Sequence, residues 1–463
     1  MTPKFGTSGL RGLVTDLTPA LVQRHVRAFL AACDSGTGLF VGRDLRASSP
    51  RIAGDVMDAA RATGCTVTDC GALPTPALAL AAAQAGAGAV MVTGSHIPDD
   101  RNGLKFYTRS GEITKADEAA ILAALPGIST QDRVEKGVLE TDTAALPAYA
   151  ARFIDAFGPQ ALSGRRIGLY AHSAVGRDVL GDILRGLGAE VIELGRSDTF
   201  IPVDTEAVDA QTRAQIRAWV GAHKLDALVS TDGDSDRPLL ADETGEVVPG
   251  DVMGQITAEA LGAETVVTPI SSNSGITQKG FGRVELTRIG SPYVIAGMEA
   301  AGGAVLGYEA NGGLLLGFEA RGPMGPLPAL MTRDCTLPIV AVLVAAGQGG
   351  VAARVAEEPA IVTRADRLQE IPTEKSAALI ARLTEDAEAR TQFLGALERK
   401  EKALDLTDGV RMQLEGGGTL HLRPSGNAPE MRVYAEGSDA AVAEALLAAT
   451  LSYLAAELGE RSN

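Results

Sequence analysis

Gly88-Ala-Val-Met-Val-Thr-Gly-Ser-His96, Asp226-Ala-Leu-Val-Ser-Thr-Asp-Gly-Asp-Ser-Asp236 and Gly303-Ala-Val-Leu-Gly-Tyr-Glu-Ala-Asn-Gly-Gly313 share one design: a short apolar run opening into small and polar residues. Such runs read as buried strands ending in loops, and in open α/β sheets ligands bind beyond the carboxyl ends of strands. Outward from each loop the same alternation continues. Leu39–Val41, Thr66–Thr68 and Ala89–Val92 read as strands, with helical stretches at Arg51–Thr63 and Pro76–Gln84. The rhythm returns at Arg166–Tyr170, Glu190–Leu194 and Ala227–Val229, and again at Thr265–Thr268, Val284–Arg288 and Ala304–Gly307. A βαβα order implies parallel or mixed sheets covered by helices. The last hundred residues differ: Val410–Leu414, Thr419–Leu422 and Met431–Ala435 follow one another as strands before a helix near Ala440–Leu458. The expectation is three similar α/β domains and a C-terminal α+β domain, divided as 1–146, 147–246, 247–363 and 364–463. The mixture of charge and Pro around Ile361–Pro372 suggests a hinge before the last one.

A chain of 463 residues is too long for one core, and 45% apolar residues with only 4% aromatics implies several cores built from Ala, Leu and Val. A net charge of −16 disfavours general binding to nucleic acid or anionic membrane. An anionic substrate would need a local cluster of Arg and Lys. Cys33, Cys65, Cys70 and Cys335 form no CxxC pair and suit no zinc site. The N-terminal residues lack a signal-peptide core, and the apolar stretches Ala77–Val92 and Leu337–Ala346 are too short or interrupted to span a bilayer. The expectation is a cytoplasmic protein, a monomer or weak dimer, with small molecules rather than membranes or nucleic acids as partners.

Asp232, Asp234 and Asp236 alternate in the second loop, and like charges this close call for a cation. Three protein oxygens, with room for substrate oxygens, suit Mg²⁺. An EF-hand is a rival because Glu243 falls at its twelfth position, but that motif has Gly where Arg237 stands. A solvated acidic turn is the ordinary alternative. In the first loop Ser95 and His96 follow a strand, and Asn102-Gly-Leu-Lys105 offers a cation in the same loop region. A phosphoryl-carrying serine needs a base and neutralising charge, which His96 and Lys105 could supply. Alone, a Ser–His pair in a turn is commonplace. Glu309 and Asn311 suit two adjacent sugar hydroxyls. Arg423-Pro-Ser-Gly-Asn427, followed by Arg432, places donors around a Gly turn as a phosphate clamp would. Phe5-Gly-Thr-Ser-Gly-Leu-Arg11 adds Thr7, Ser8 and Arg11 as anion donors, while Gly42-Arg43-Asp44 reads as structural.

Together FGTSGLRG, TGSHIP with NGLK, DGDSDR, YEANGG and RPSGNAP resemble, in order and along the whole chain, the α-D-phosphohexomutase family of phosphomannomutases and phosphoglucomutases. The resemblance implies a heart-shaped molecule with a central cleft and one loop per domain. It implies a phosphoserine at Ser95 and Mg²⁺ bound by Ser95, Asp232, Asp234 and Asp236. Lys105 and Arg237 would assist transfer, beside His96 and Arg11; Glu309 and Asn311 would select the sugar. Arg423, Ser425, Gly426, Asn427 and Arg432 would hold the non-reacting phosphate. The implied reaction interconverts hexose 6-phosphate and hexose 1-phosphate through a hexose 1,6-bisphosphate, with mannose first, glucose close behind and glucosamine last. The sequence departs from many members at Gly94 and Ile97, at Asn311 and Gly313, and at Asn427. The rival readings are a haloacid-dehalogenase-type phosphatase using Asp232, which leaves Ser95 and the clamp unexplained, and a silent sugar-phosphate binding protein.

Overall fold

The computed structural model describes residues 3–6, 9–129, 135–425 and 429–459. The chain packs into two compact units, Met1–Val266 with Gly290–Val355, and Val267–Ile289 with Ala356–Asn463.

The first unit opens on a mixed sheet. Its centre is parallel, with Leu39–Arg43 between Val67–Ala72 and Gly88–Val92. Gly88–Val92 is fully buried, as a strand covered on both faces must be. The next strand, Arg101–Thr108, returns antiparallel, and Gly9–Leu13 pairs with it in turn. Lys105 therefore stands on a strand, opposite Met91, and not, as expected, in the same loop region as Ser95. The helices Pro19–Ala32 and Ser49–Ala62 cover this sheet with Val22, Val26, Phe29, Ile52 and Val56. Thr18 caps the first of them, accepting a hydrogen bond from the Leu21 N–H, with Pro19 following where its missing N–H costs nothing.

A second sheet runs Glu190–Leu194, Arg166–Tyr170, Ala227–Thr231, Pro238–Ala241, the last pair antiparallel. Ala227–Thr231 is wholly buried and ends in the acidic loop, so the loop's carboxylates emerge from the centre of a sheet. Elsewhere in this unit Val305–Tyr308, Leu314–Leu316 and Leu330–Asp334 pair antiparallel. The tight turn between the first two holds Glu309 and Asn311: Glu309 N–H donates to Gly313 O at 3.1 Å and Gly312 N–H to Glu309 O at 2.9 Å.

The second unit contains an antiparallel five-stranded sheet in the order Val362–Leu368, Met431–Gly437, Thr419–Pro424, Val410–Leu414, Glu401–Asp405. Val362–Leu368 corrects the expected hinge: it pairs along its whole length with Met431–Gly437. Its charges are tolerable because it is an edge strand. The helix Ala440–Leu458 lays Leu446, Leu454 and Leu458 into this unit's core beside Val433 and Leu420. By length and composition alone it is long and apolar enough to cross a membrane; the sequence reading names it as a helix but not among the most apolar stretches.

Candidate active site

The serine loop is shaped by Asp44 and Arg46, which follow the strand Leu39–Arg43. Both are buried. Asp44 accepts hydrogen bonds from the Ser49 and Thr93 hydroxyls at 2.5 and 2.7 Å and from Arg46 Nε at 3.2 Å. Arg46 then spends its two terminal nitrogens on main-chain carbonyls: one donates to Pro98 O at 2.7 Å and Arg101 O at 3.1 Å, the other to Ser95 O at 2.9 Å and Ile97 O at 2.6 Å. The guanidinium also lies 3.9 Å from the centre of the Phe200 ring. Gly94 makes this possible, since a Cβ there would come within 2.7 Å of Arg46 Cζ. Held this way, Ser95 adopts φ 54°, the left-handed region that a residue with a Cβ occupies at a cost.

Ser95 is buried, and its hydroxyl donates to Asp232 Oδ2 at 2.6 Å. The acidic loop thus meets the serine loop directly. Asp232, Asp234 and Asp236 are all buried, with one oxygen from each lying within 4.8 Å of the others. Ser235, between the last two, is also left-handed at φ 55°. Thr75 opens the helix Thr75–Ala85 and braces Asp234 twice: its hydroxyl donates to Asp234 Oδ2 at 2.6 Å, and its N–H to Asp234 O at 3.0 Å. The Lys105 ammonium bridges Asp234 Oδ2 and Asp236 Oδ2 at 2.5 Å each. Asp234 Oδ1 and Asp236 Oδ1 remain buried with no hydrogen-bond donor. Two orphaned carboxylate oxygens, a third carboxylate and a hydroxyl form a hard-oxygen donor set of the kind a small divalent cation takes. The trio could hold a metal.

The electrostatics divide the carboxylates. Burial, with Asp234 and Asp236 alongside, pushes Asp232 up to about 8. Asp236 is also buried, but Arg333, Lys105 and Arg237 outweigh that and hold it well below the usual carboxylate range. His96 was expected to serve as the base. Its Nδ1 lies 3.3 Å from Ser95 Oγ but accepts from the Arg237 guanidinium at 3.1 Å, so it carries no proton there. Burial, then Arg237 and Arg11, lower its pKa to about 2. The serine proton lies with Asp232, and His96 is a neutral neighbour. Arg11 is close enough to Arg237 and Arg333 that burial and their charge lower it to about 10. Thr7 and Ser8 lie outside the described residues.

The loop of Glu309 and Asn311 joins through a residue the sequence reading missed. Arg333 donates through Nε and one terminal nitrogen to Asp236 Oδ2 at 3.0 and 2.9 Å, and through the other to Glu309 Oε2 at 3.1 Å. A chain of contacts therefore runs from Glu309 through Arg333, Asp236 and Lys105 to Asp234. Asn311 spends its Oδ1 on the Gly313 N–H at 2.9 Å, leaving its Nδ2 as the group that can meet a ligand. Nothing local marks Arg46, Thr75 or Arg333 as site residues. Only the "Arg-Asp" after the first apolar run hinted at a role for Asp44.

The residues expected to form a phosphate clamp belong to the second unit. Arg423 donates to Asp408 Oδ1 at 3.0 Å, and Ser425 is buried. Gly426 and Asn427 lie outside the described residues. Arg367, Arg432 and Arg423 occupy matched positions on three adjacent strands. Glu430 approaches Arg367 at 3.6 Å and Arg432 at 3.8 Å, and Arg432 Nε is buried without a partner among the described residues. Three neighbouring guanidinium groups repel one another and favour an anion among them.

A serine beside buried carboxylates, with three arginines on adjacent strands elsewhere in the chain, is the equipment of phosphoryl transfer, and comparison with known proteins narrows it. The chain matches the phosphoglucomutase/phosphomannomutase alpha/beta/alpha domain I over residues 2–132, domain II over 148–245 and domain III over 249–358, and the C-terminal domain over 351–452. It is 45% identical to a phosphomannomutase of Sinorhizobium fredii, covering 98% of this chain and 99% of that one. It is 41% identical to a phosphomannomutase of Salmonella muenchen, covering 98% and 96%. A phosphoglucomutase/phosphomannomutase family structure from Burkholderia thailandensis shares the fold, with a TM-score of 0.80 at 20% identity over 98% of each chain. The chain belongs to the phosphoglucomutase/phosphomannomutase family. Its four-domain α/β architecture is that family's, and its activity is that of a phosphohexomutase, an isomerase of carbohydrate metabolism.

Proposed function

We propose that this phosphohexomutase interconverts mannose 6-phosphate and mannose 1-phosphate, with glucose phosphates as poorer substrates, through a phosphorylated Ser95 and a hexose 1,6-bisphosphate. The observation that carries the reading is the 2.6 Å contact of Ser95 Oγ with a buried acidic trio in which Asp234 Oδ1 and Asp236 Oδ1 lack donors. The relatives at 41% and 45% identity, both phosphomannomutases, favour mannose.

The bond from phosphorus to Ser95 Oγ breaks as a bond forms from phosphorus to the free hydroxyl oxygen of the bound hexose phosphate, and the proton of that hydroxyl passes by way of Asp232 to the departing Ser95 Oγ. The bisphosphate turns about, Ser95 Oγ attacks its other phosphoryl group, and the bond from that phosphorus to the sugar oxygen breaks, the sugar oxygen leaving as a hydroxyl with the proton that the serine gives up. Asp232 takes the serine proton across the hydrogen bond already in place. Lys105 and Arg237 supply fixed positive charge beside the moving group, and Arg11 adds to it. Asp232, Asp234 and Asp236 with Ser95 would hold Mg²⁺, which when bound supplies charge neutralisation at the phosphoryl oxygens. Glu309 and Asn311 read the sugar hydroxyls. Arg423, Ser425, Gly426, Asn427 and Arg432 grip the phosphate that does not react.

The test is Ser95→Ala assayed for exchange between mannose 1-phosphate and mannose 6-phosphate, primed with bisphosphate and Mg²⁺. Exchange should vanish while the circular dichroism spectrum is retained. Phosphate on the wild-type enzyme should survive hydroxylamine, as a phosphoserine does; release by hydroxylamine would place it on Asp232 and reject the serine mechanism. Mannose 1-phosphate should show a higher kcat/KM than glucose 1-phosphate, and the reverse order would overturn the sugar assignment.

A further inference from the structure

Arg333 lies outside every loop that the sequence marks as functional, on the strand Leu330–Asp334. Its guanidinium is nonetheless buried at the junction of two of them. Both hydrogen bonds to Asp236 fall on one oxygen, Oδ2, while the remaining terminal nitrogen reaches Glu309 Oε2 at 3.1 Å and Ser291 Oγ at 3.5 Å. The planar fork therefore spans two carboxylates of different loops at a fixed separation, which a lysine, as a single point charge, cannot reproduce.

The space it fills is reserved by a glycine. A Cβ at Gly313 would lie 2.7 Å from Arg333 Cδ, 2.9 Å from Cγ and 3.1 Å from Asn311 Oδ1. Any side chain at 313 would press on the Arg333 stem and on the Asn311 carboxamide together. Gly313, Arg333 and Glu309 are thus fitted to one another. The carboxylate of Glu309 is fixed at one oxygen and can rotate only by giving up a charge-assisted hydrogen bond in a buried setting.

From this arrangement we propose that Arg333 is a positioning residue for sugar recognition. It holds Glu309 as an oriented acceptor for the hydroxyls of the hexose phosphate and ties that orientation to the metal-loop carboxylate Asp236. The inference rests on the reading of Glu309 as a sugar contact. Epimeric hexoses differ only in where one hydroxyl points, so an acceptor of fixed direction separates them better than a swivelling one. Releasing Glu309 should weaken binding and flatten the discrimination at once.

Three variants of the full chain test it, Arg333→Lys, Gly313→Ala and Glu309→Gln, with kcat and KM measured for mannose 1-phosphate and glucose 1-phosphate and the fold checked by circular dichroism. Arg333→Lys keeps the buried charge, and Gly313→Ala keeps the arginine itself, so neither leaves bare carboxylates behind. Both should raise KM for the preferred sugar about tenfold and compress the ratio of the two kcat/KM values by a similar factor, the scale of one charge-assisted hydrogen bond. The loss should fall on KM and selectivity more than on kcat. Glu309→Gln in the Arg333→Lys background should add little to either single change, since the two act as one unit. Mg²⁺ titrated alone by calorimetry should bind Arg333→Lys at least as well as the wild type. Wild-type KM and selectivity in Arg333→Lys and Gly313→Ala would overturn the proposal, as would a loss confined to kcat. Normal selectivity in Glu309→Gln would overturn it at its premise, while exchange through phosphoserine in the wild type would leave the reaction assignment standing.

Discussion

Replacing Arg46 with Met should cripple this enzyme from a residue that touches no reacting atom. The substitution keeps the apolar stem and removes the guanidinium, leaving four main-chain carbonyls, at Ser95, Ile97, Pro98 and Arg101, without their buried donor. Asp44 loses its ionic partner but keeps the Ser49 and Thr93 hydroxyls, so the carboxylate is not wholly stripped. Breaking one side of a buried ion pair costs about 3–5 kcal/mol, and the retained hydroxyls place this case toward the lower end. Pro98 O keeps the Arg101 N–H as a donor, and the carbonyls left without one add about 1 kcal/mol each, giving about 4–6 kcal/mol in all. The kinetic effect should be larger than the stability loss suggests. Ser95 sits at φ 54° because its own carbonyl is anchored, and a displacement of about 1 Å at a reacting group can lower kcat about 100-fold. Urea unfolding monitored in the first unit would give the stability, and the coupled exchange assay the rate. Gly94→Ala provides the internal control. In the wild type its Cβ presses on Arg46 Cζ and should cost about 1–3 kcal/mol. In the Arg46→Met background that penalty should largely vanish, a coupling between two positions that only this geometry explains. An Arg46→Met enzyme with kcat within about threefold of wild type and stability within about 1 kcal/mol would refute the reasoning.

Other residues give sharper single outcomes. Lys105→Met should destabilise the metal-free protein by about 3 kcal/mol, because it leaves Asp234 and Asp236 facing each other, and saturating Mg²⁺ should close most of that gap; an equal gap in EDTA and in Mg²⁺ would reject a metal at the trio. His421 is buried, its Nε2–H donating to Asp408 O at 2.6 Å, and burial lowers its pKa from 6.5 to about 4. Below pH 6.5 the unfolded chain takes up a proton that the folded chain refuses until about pH 4, so this stabilisation is full above 6.5 and is lost as the pH falls through that window. The second unit's urea midpoint should drop between pH 7 and pH 4.5, and less so in His421→Gln; equal drops would show that His421 is not responsible. Arg423→Met should raise KM for hexose phosphates about tenfold or more through loss of a charge-assisted contact, and an unchanged KM would remove it from the clamp.

The sequence carried the parts of the site that sit at strand ends and bear reactive groups. Ser95 and the alternating Asp232, Asp234 and Asp236 are visible because an apolar run stops abruptly at residues with no reason to be buried together. Lys105 reads as a cation in the same loop region as Ser95; the antiparallel partner Gly88–Val92 places it on a strand instead. The charged segment at 361–372 reads as a linker, and only pairing with Met431–Gly437, more than sixty residues later, makes it a strand. Arg46, Thr75 and Arg333 were illegible for a different reason. Each acts through contacts between residues far apart in the chain, and a lone Arg or Thr has no periodicity to betray its partner. The preference of His96 for Arg237 over Ser95 is a matter of tenths of an ångström, below anything that residue spacing encodes.

The backbone at Ser95 has one more implication. Glycine suits the left-handed region better than any residue carrying a Cβ. A chain refined for thermal endurance alone would abandon the serine there, and Ser95→Gly should outlast the natural protein on heating even as turnover stops. If Ser95 carries the phosphoryl group as proposed, the hydroxyl at so ill-suited a spot is stability given up for chemistry.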